Sequence, residues 1–374
     1  MKKTLCALMV MGAFATTAQA QTSVTLYGII DASIGTQSNS GLPGGGHTTA
    51  FTDAPILPSV YGFKGTEDLG GGMSASFNLE GGFNSGKGTH NSPGVYQSQF
   101  FGREAKVALS SSDWGTVAAG LQVDPGVIAS ISTEPRGLTD SFSMVEYWID
   151  ATLFNGGGPA GSSGSLAGGL FDVNSLTYTY AKNGLYVGLE YGFGGVAGAS
   201  SAGTTESIGV SYAHAGFLVS GSYAKATSPN PALGNTSAID VVGLGYDFGE
   251  VALRGQYGEF KFAFGGAPSY TDDVKVWGVG VDWKTSVANK VNLAYYDAKD
   301  DGTGIGGSTT ELALLDIYAL SKHTQVYAQV ASVKADANAG MSAGIGGVYT
   351  PSGSLTAAAG ATTTFFGIGL QHSF

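Results

Sequence analysis

The chain has 374 residues with 17 basic and 28 acidic side chains, and this net charge of −11 argues against nucleic acid as a partner. Only 12% of its residues are charged, whereas 61 are glycine, more than twice the usual share of about 7%. After the first twenty residues, no apolar run is long enough for a transmembrane helix, which excludes a helical membrane protein.

The first twenty residues have the pattern of a secretory signal. Two lysines precede an apolar run from Leu5 to Phe14, and the letters AQA at 18–20 match a small-residue cleavage site. An apolar run of about ten residues is too short to cross a bilayer as a helix. We therefore predict a signal peptide at 1–20 and a single domain at 21–374.

One pattern recurs through the predicted domain: apolar residues alternate with small or polar ones. Because successive side chains of a strand point to opposite faces, each such stretch predicts a strand with one apolar face. Counting weaker runs, we find about sixteen strands of roughly ten residues, the length that a tilted membrane strand needs. The stretches are 24–34, 60–67, 75–80, 101–109, 116–123, 176–180, 185–193, 208–212, 217–223, 242–248, 251–257, 277–283, 291–295, 314–320, 325–333 and 365–374.

The connections between these strands alternate in length. The short set has four to six residues, whereas the long set is rich in Gly, Ser, Thr, Asn and Pro. Short turns on one side and long loops on the other are typical of outer-membrane barrels. The short turns are at 67–72, 111–116, 181–184, 213–216, 247–250 and 320–324, and the longest connection runs from 124 to 172.

Aromatic residues stand near the ends of the apolar faces, which fits the two aromatic girdles of a membrane barrel. The final stretch, TTTFFGIGLQHSF, alternates strictly and ends on Phe374. In lipid, unpaired backbone groups at a sheet edge are too costly, so the final strand must pair with the first. The sequence thus predicts an all-β, transmembrane antiparallel barrel of about 16 strands around a wet interior.

Four segments carry a resemblance to a known family, the trimeric general porins of Gram-negative outer membranes. They are SVTLYGIIDASI (23–34), GFKGTEDLGGGMSASFNLE (62–80), FGREAKVALSSSDWGTVAAG (101–120) and YALSKHTQVYAQV (318–330), together with the terminal Phe. The resemblance implies a sixteen-stranded pore whose long third external loop, here 124–172, folds inward. It also implies that Phe374 is an assembly signal for the barrel-insertion machinery.

The resemblance further implies the partners of the chain. We expect a homotrimer in the outer membrane of a Gram-negative bacterium, in contact with lipid and lipopolysaccharide, passing small hydrophilic solutes without a cofactor. One departure concerns charge, because the family often has arginine where this chain has Val60, Leu121 and Val173. The constriction of this chain is therefore expected to carry fewer basic residues than the family usually places there.

Ten charged residues are candidates for the pore lining. Five of them lie on strands, at positions that alternate with the apolar ones and therefore point into the barrel: Lys64, Glu104, Lys106, Glu190 and Arg254. On the long loop, the candidates are five acids: Asp124, Glu134, Asp140, Glu146 and Asp150. Each wall residue could instead be solvated away from the narrowest point, and each loop acid could belong to an ordinary surface loop. Because acids outnumber bases in this set, we predict a modest cation preference.

Neither an enzyme nor a metal protein is indicated. The five histidines are scattered over loops, turns and a lipid-facing position, and the single cysteine, Cys6, lies in the predicted signal. The match of 302–307 to G-x-G-x-x-G lacks a surrounding βαβ unit, so it predicts no nucleotide site. A binding-class alternative stays open, in which the barrel is plugged and its long loops act as an adhesin or receptor.

Overall fold

The fold is an antiparallel sheet that closes on itself, seen here in a computed structural model. No helix among the described residues combines the length and apolar character needed to cross a membrane. The predicted signal peptide lies outside the described residues. The structure describes residues 23–39, 46–90, 99–137, 139, 141–145, 149, 170–265, 270–302, 307–336, 344–350, 353–356 and 360–374.

Sixteen strands form the ring, as the sequence predicts. In chain order they are β1 (Ser23–Gln37), β3 (Val60–Gly70), β4 (Met73–Gly82), β5 (Glu104–Ser111), β6 (Gly115–Val123), β7 (Phe171–Lys182), β8 (Leu185–Gly192), β9 (Thr205–His214), β10 (Phe217–Thr227), β11 (Thr236–Asp247), β12 (Val251–Phe264), β13 (Tyr270–Lys284), β14 (Asn289–Asp300), β15 (Gly307–Ala319), β16 (Thr324–Ala335) and β19 (Thr362–Ser373). Three short strands extend the sheet within the long loops: β2 (Thr48–Asp53), β17 (Gly344–Thr350) and β18 (Gly353–Thr356).

The first and last strands close the ring, which confirms the sequence-based expectation. β1 pairs with β19 from Ile29↔Ser373 to Gln37↔Phe365, and its other edge pairs with β3. Phe374 extends the seam, the pairing of β1 with β19, because its N–H donates to the Gly28 carbonyl at 3.0 Å and its carbonyl accepts from the Gly28 N–H at 3.1 Å. No backbone edge of the ring is therefore left open to lipid at this point.

The short turns all lie at one end of the barrel and the long loops at the other. Two of these turns are two-residue hairpins with the left-handed backbone that a type I′ turn requires. Asn183 and Gly184 have φ values of 53° and 83°, and Ala215 and Gly216 have 49° and 88°. The sequence-based turns are confirmed, and a further short connection joins β13 to β14 at 284–289.

The outward-facing side chains are large and apolar. On β19, Phe366, Ile368 and Leu370 are each about half exposed, with fractions of 49%, 52% and 49%. Phe217, Phe248 and Trp283 are also exposed at or beside strand ends, and Trp277 is exposed in the middle of β13. An apolar belt flanked by aromatic residues is the surface that a barrel presents to lipid.

The inner face is not uniformly polar, and here the sequence-based expectation of a wet interior is wrong in part. The inward positions of β11, β12 and β13 carry a buried apolar cluster that includes Ile239, Val241, Phe260, Phe262, Val274 and Val276. These residues are shielded because the long loop between β6 and β7, hereafter loop 3, packs against them through Val127, Met144, Val145 and Ile149.

Candidate functional site: the barrel lumen and loop 3

Loop 3 enters the barrel through a short helix, α1 (Pro125–Ser130), followed by a single 3-10 turn at Ile131–Thr133. Asp124 caps α1, because its Oδ1 accepts from the backbone N–H of Gly126 at 2.6 Å and of Val127 at 3.0 Å. The ring of Pro125 fixes the φ angle at a value that suits the first helical position. The sequence thus starts a helix at the point where the chain leaves β6, and this helix packs against β8, β9 and β10.

Inward-facing glycines let the loop backbone lie directly on the wall. A Cβ atom on Gly209 of β9 would lie 2.4 Å from the Pro125 carbonyl oxygen. A Cβ atom on Gly280 of β13 would lie 2.2 Å from the Pro135 carbonyl oxygen. Both distances are too short for any residue with a side chain, so these positions need glycine for close approach.

Hydrogen bonds fix the middle of loop 3 to β14. Glu134 is fully buried and accepts from the Tyr296 hydroxyl at 2.5 Å, the Ser143 hydroxyl at 2.7 Å and the Arg136 backbone N–H at 2.6 Å. The Arg136 Nε donates to the Thr139 hydroxyl at 3.1 Å. Burial lowers the pKa of the Arg136 guanidinium, while neighbouring acidic groups that include Glu134 oppose that shift.

Loop 3 also reaches the far side of the barrel. The Ser141 backbone N–H donates to the Pro55 carbonyl at 3.1 Å. The rings of Phe142 and Phe365 on β19 have centroids 4.8 Å apart, within a second buried cluster. The described part of loop 3 therefore runs along the inner wall from β8 to β19, which confirms the predicted inward fold.

The burial of three candidate acids corrects their expected role. Asp124, Glu134 and Glu190 are exposed by only 2%, 0% and 7%, because each lies between loop 3 and the wall or beside that contact. Burial raises the pKa of the Asp124 carboxyl, and hydrogen bonds from Ser207 and Val127 oppose the rise. These carboxylates do not face open water. Asp140, Glu146 and Asp150 lie outside the described residues.

The opposite wall, formed by β3, β4 and β5, brings the other predicted residues together. The strand register places Lys64, Asn78 and Lys106 in one row across the sheet. Glu80 and Glu104 form the next row, one step further along the strands. Parity alone finds these inward positions, but only the register shows that they are neighbours.

Most charges on this wall are paired. Lys106 Nζ lies 2.8 Å from Glu104 Oε1, and Arg103 Nε lies 2.7 Å from Glu80 Oε1. Lys64 is exposed to the lumen, and its ammonium lies 5.0 Å from the centre of the Tyr27 ring. Within the part of the chain that the structure describes, no carboxylate is within ion-pair distance of Lys64.

Arg254 lies on the covered side and is partly neutralised. Its guanidinium forms an ion pair with Asp282 and donates from Nε to the Ser132 carbonyl of loop 3 at 3.1 Å. Lys290 lies 3.8 Å from the same aspartate. Sequence reasoning missed Asp282 as a lumenal residue, although its position between the outward-facing Val281 and Trp283 gives it inward parity. It also missed Arg103, which lies just before β5 where the strand pattern is weak.

A closed barrel with an apolar outer belt, a charged lumen and an inward loop defines a β-barrel channel of the outer membrane. The chain belongs to the Gram-negative porin family, whose model matches residues 6–338. It is accordingly an outer-membrane porin channel.

Three relatives place the chain within that family. Outer membrane porin protein 32 of Delftia acidovorans is 28% identical over 388 aligned residues, which cover 100% of both chains. An outer membrane porin protein of Bordetella pertussis is 40% identical over 135 residues, covering 33% of this chain and 34% of that protein. The solved structure of the anion-selective porin from Comamonas acidovorans matches with a TM-score of 0.77 and 25% identity, covering 94% of this chain and 100% of that one.

Proposed function

We propose that the protein lets small hydrophilic solutes and ions diffuse passively across the outer membrane, as a homotrimer, after removal of residues 1–20 as a signal peptide. The observation that carries this proposal is the division of the lumen. Loop 3 lies along the inner wall from β8 to β19, while the wall of β3–β5 keeps a charged surface. A barrel narrowed along one side in this way still leaves a water-filled passage along the other.

The wall charges favour a weak preference for anions. Glu80 and Glu104 are each matched by a base, and Lys64 adds a positive charge that no described carboxylate balances. Asp124, Glu134 and Glu190, three of the acids behind the predicted cation preference, are buried beside loop 3, and Glu104, exposed by only 9%, is paired with Lys106, so these acids contribute little to the field in the passage. The similarity to an anion-selective porin also supports a preference for anions.

The reversal potential across a KCl gradient in planar bilayers tests this proposal. We expect an anion-selective sign that weakens as salt approaches 1 M, where the Debye length falls to about 3 Å. Lys64→Ala should move the reversal potential toward cations, because it removes the unbalanced base. Lys322→Ala is the matched control, since it removes the same charge from a short turn and should leave the potential unchanged.

Other outcomes of the same recordings would contradict parts of this account. A cation-selective wild type would favour the sequence-based prediction. The ion selectivity would then be set by acids other than those on the described wall. A protein that inserts but conducts no current would instead favour a plugged barrel whose external loops bind a partner.

A further inference from the structure

Three buried carboxylates meet where both ends of loop 3 join the wall. Asp124 is the first residue of the loop, Asp172 lies at the start of β7 where the loop ends, and Glu190 lies on β8. One carboxylate oxygen from each residue lies within 4.8 Å of those from the other two. Their exposed fractions are 2%, 1% and 7%, so water has almost no access to them.

The protein satisfies only part of this cluster. Ser207 donates from its hydroxyl to Asp124 Oδ1 at 2.8 Å, and Thr205 donates to Glu190 Oε1 at 3.0 Å. In contrast, both oxygens of Asp172 and the Oε2 of Glu190 are inaccessible to solvent and accept no hydrogen bond from a hydroxyl, amide or backbone N–H among the described residues, so the only groups within reach of Asp172 are the other two carboxyls. No described lysine or arginine forms an ion pair with any of the three carboxylates.

Asp172 is the member that points to a ligand. A buried carboxylate without a donor is costly, and a like charge beside it increases that cost. Hard divalent cations resolve both problems, because they bind oxygen atoms and prefer carboxylates. Two oxygens on opposite sides of a calcium ion at about 2.4 Å each stand about 4.8 Å apart. The three carboxylate oxygens all lie within 4.8 Å of one another, so one ion can contact all three.

We propose that Asp124, Asp172 and Glu190 bind one divalent cation of the calcium type. Such an ion joins the two ends of loop 3 to each other and to β8. It thereby fixes the base of the loop that narrows the channel, at a point separate from the ion pairs that face the passage.

Calcium binding to refolded protein tests the site without reference to transport. The full chain is refolded into detergent, so that no lipopolysaccharide contributes cations, and is stripped with a chelator before equilibrium dialysis against calcium. We expect about one calcium ion per chain and a higher melting temperature with calcium than with chelator. Asp172→Asn should weaken calcium binding by about tenfold or more and abolish the calcium-dependent shift.

The controls separate a metal site from a general charge effect. Glu104→Gln removes a lumenal carboxylate that has its own lysine partner, and this variant should bind calcium as the wild type does. Glu190→Gln is a second variant if Asp172→Asn does not refold. A wild type that binds no calcium, or an Asp172→Asn variant that binds it equally well, would overturn the proposal. Stability that responds to pH but not to calcium would overturn it too, in favour of carboxyls that share protons. None of these results depends on ion selectivity, so the channel proposal stands or falls separately.

Discussion

The wall from β8 to β19, which loop 3 covers, and the open wall of β3–β5 share one strand pattern but have different inner surfaces. The covered wall presents glycines such as Gly209 and Gly280 and a buried apolar cluster to loop 3. The open wall presents Lys64, Asn78, Lys106 and the paired glutamates. Both walls have similar outward faces, because both meet lipid.

The difference shows that inward parity alone does not make a position a pore residue. An inward glycine lets another backbone approach closely, and inward apolar side chains gain by being covered. An unpaired lysine such as Lys64 would lose more by desolvation than it gains, so it remains on the open side. The choice of inward residues therefore decides which wall the loop covers and which wall the solute meets.

The largest expected effect comes from opening the seam beside the open wall. Deleting Phe374 removes both backbone hydrogen bonds to Gly28, next to the junction of β1 with β3. We expect the amount of assembled protein in outer-membrane fractions to fall about tenfold, since an incomplete edge is costly in lipid. Phe366→Ala, which removes a lipid-facing ring from the same strand, is the control. A normal yield of the deletion variant in immunoblots would rule out an assembly role for Phe374.

A smaller effect is expected from uncovering the covered wall. Shortening loop 3 between Asp124 and Asp172 should raise single-channel conductance by about twofold, because the passage widens. Removing residues 229–234, from the connection between β10 and β11, serves as the control and should leave conductance unchanged. If the two deletions behave alike, loop 3 does not limit the current.

The smallest effect is expected from pushing loop 3 away from the covered wall. Gly280→Val places atoms where the Pro135 carbonyl now lies, so the loop must move toward the open wall. Single-channel conductance should fall by roughly a third. Gly221→Val is the matched control, because a Cβ atom there meets nothing within 4 Å. Equal conductance of both variants would show that the glycine contact does not position the loop.

The strand pattern and the closure of the ring could be predicted because both follow from local alternation and the cost of an open edge. The inward direction of loop 3 came from family resemblance, not from periodicity. The burial of Glu134 could not be predicted, because its partner Tyr296 lies 162 positions away. Parity likewise assigned Glu190 correctly to the inner face, but it does not show that Asp124 and Asp172 lie beside it.

The seam between β1 and β19 also bears on how the barrel folds. Each other pairing in the ring joins strands that follow one another along the chain, and those joined by the short turns are hairpins that can form locally. At the seam, Gln371 hydrogen bonds to Asp31 across 340 positions. Closing so long a loop costs chain entropy, and contacts of this range form slowly. A folding intermediate with two free strand edges is therefore expected to persist until this one pairing forms, and those edges are where two immature chains would associate wrongly.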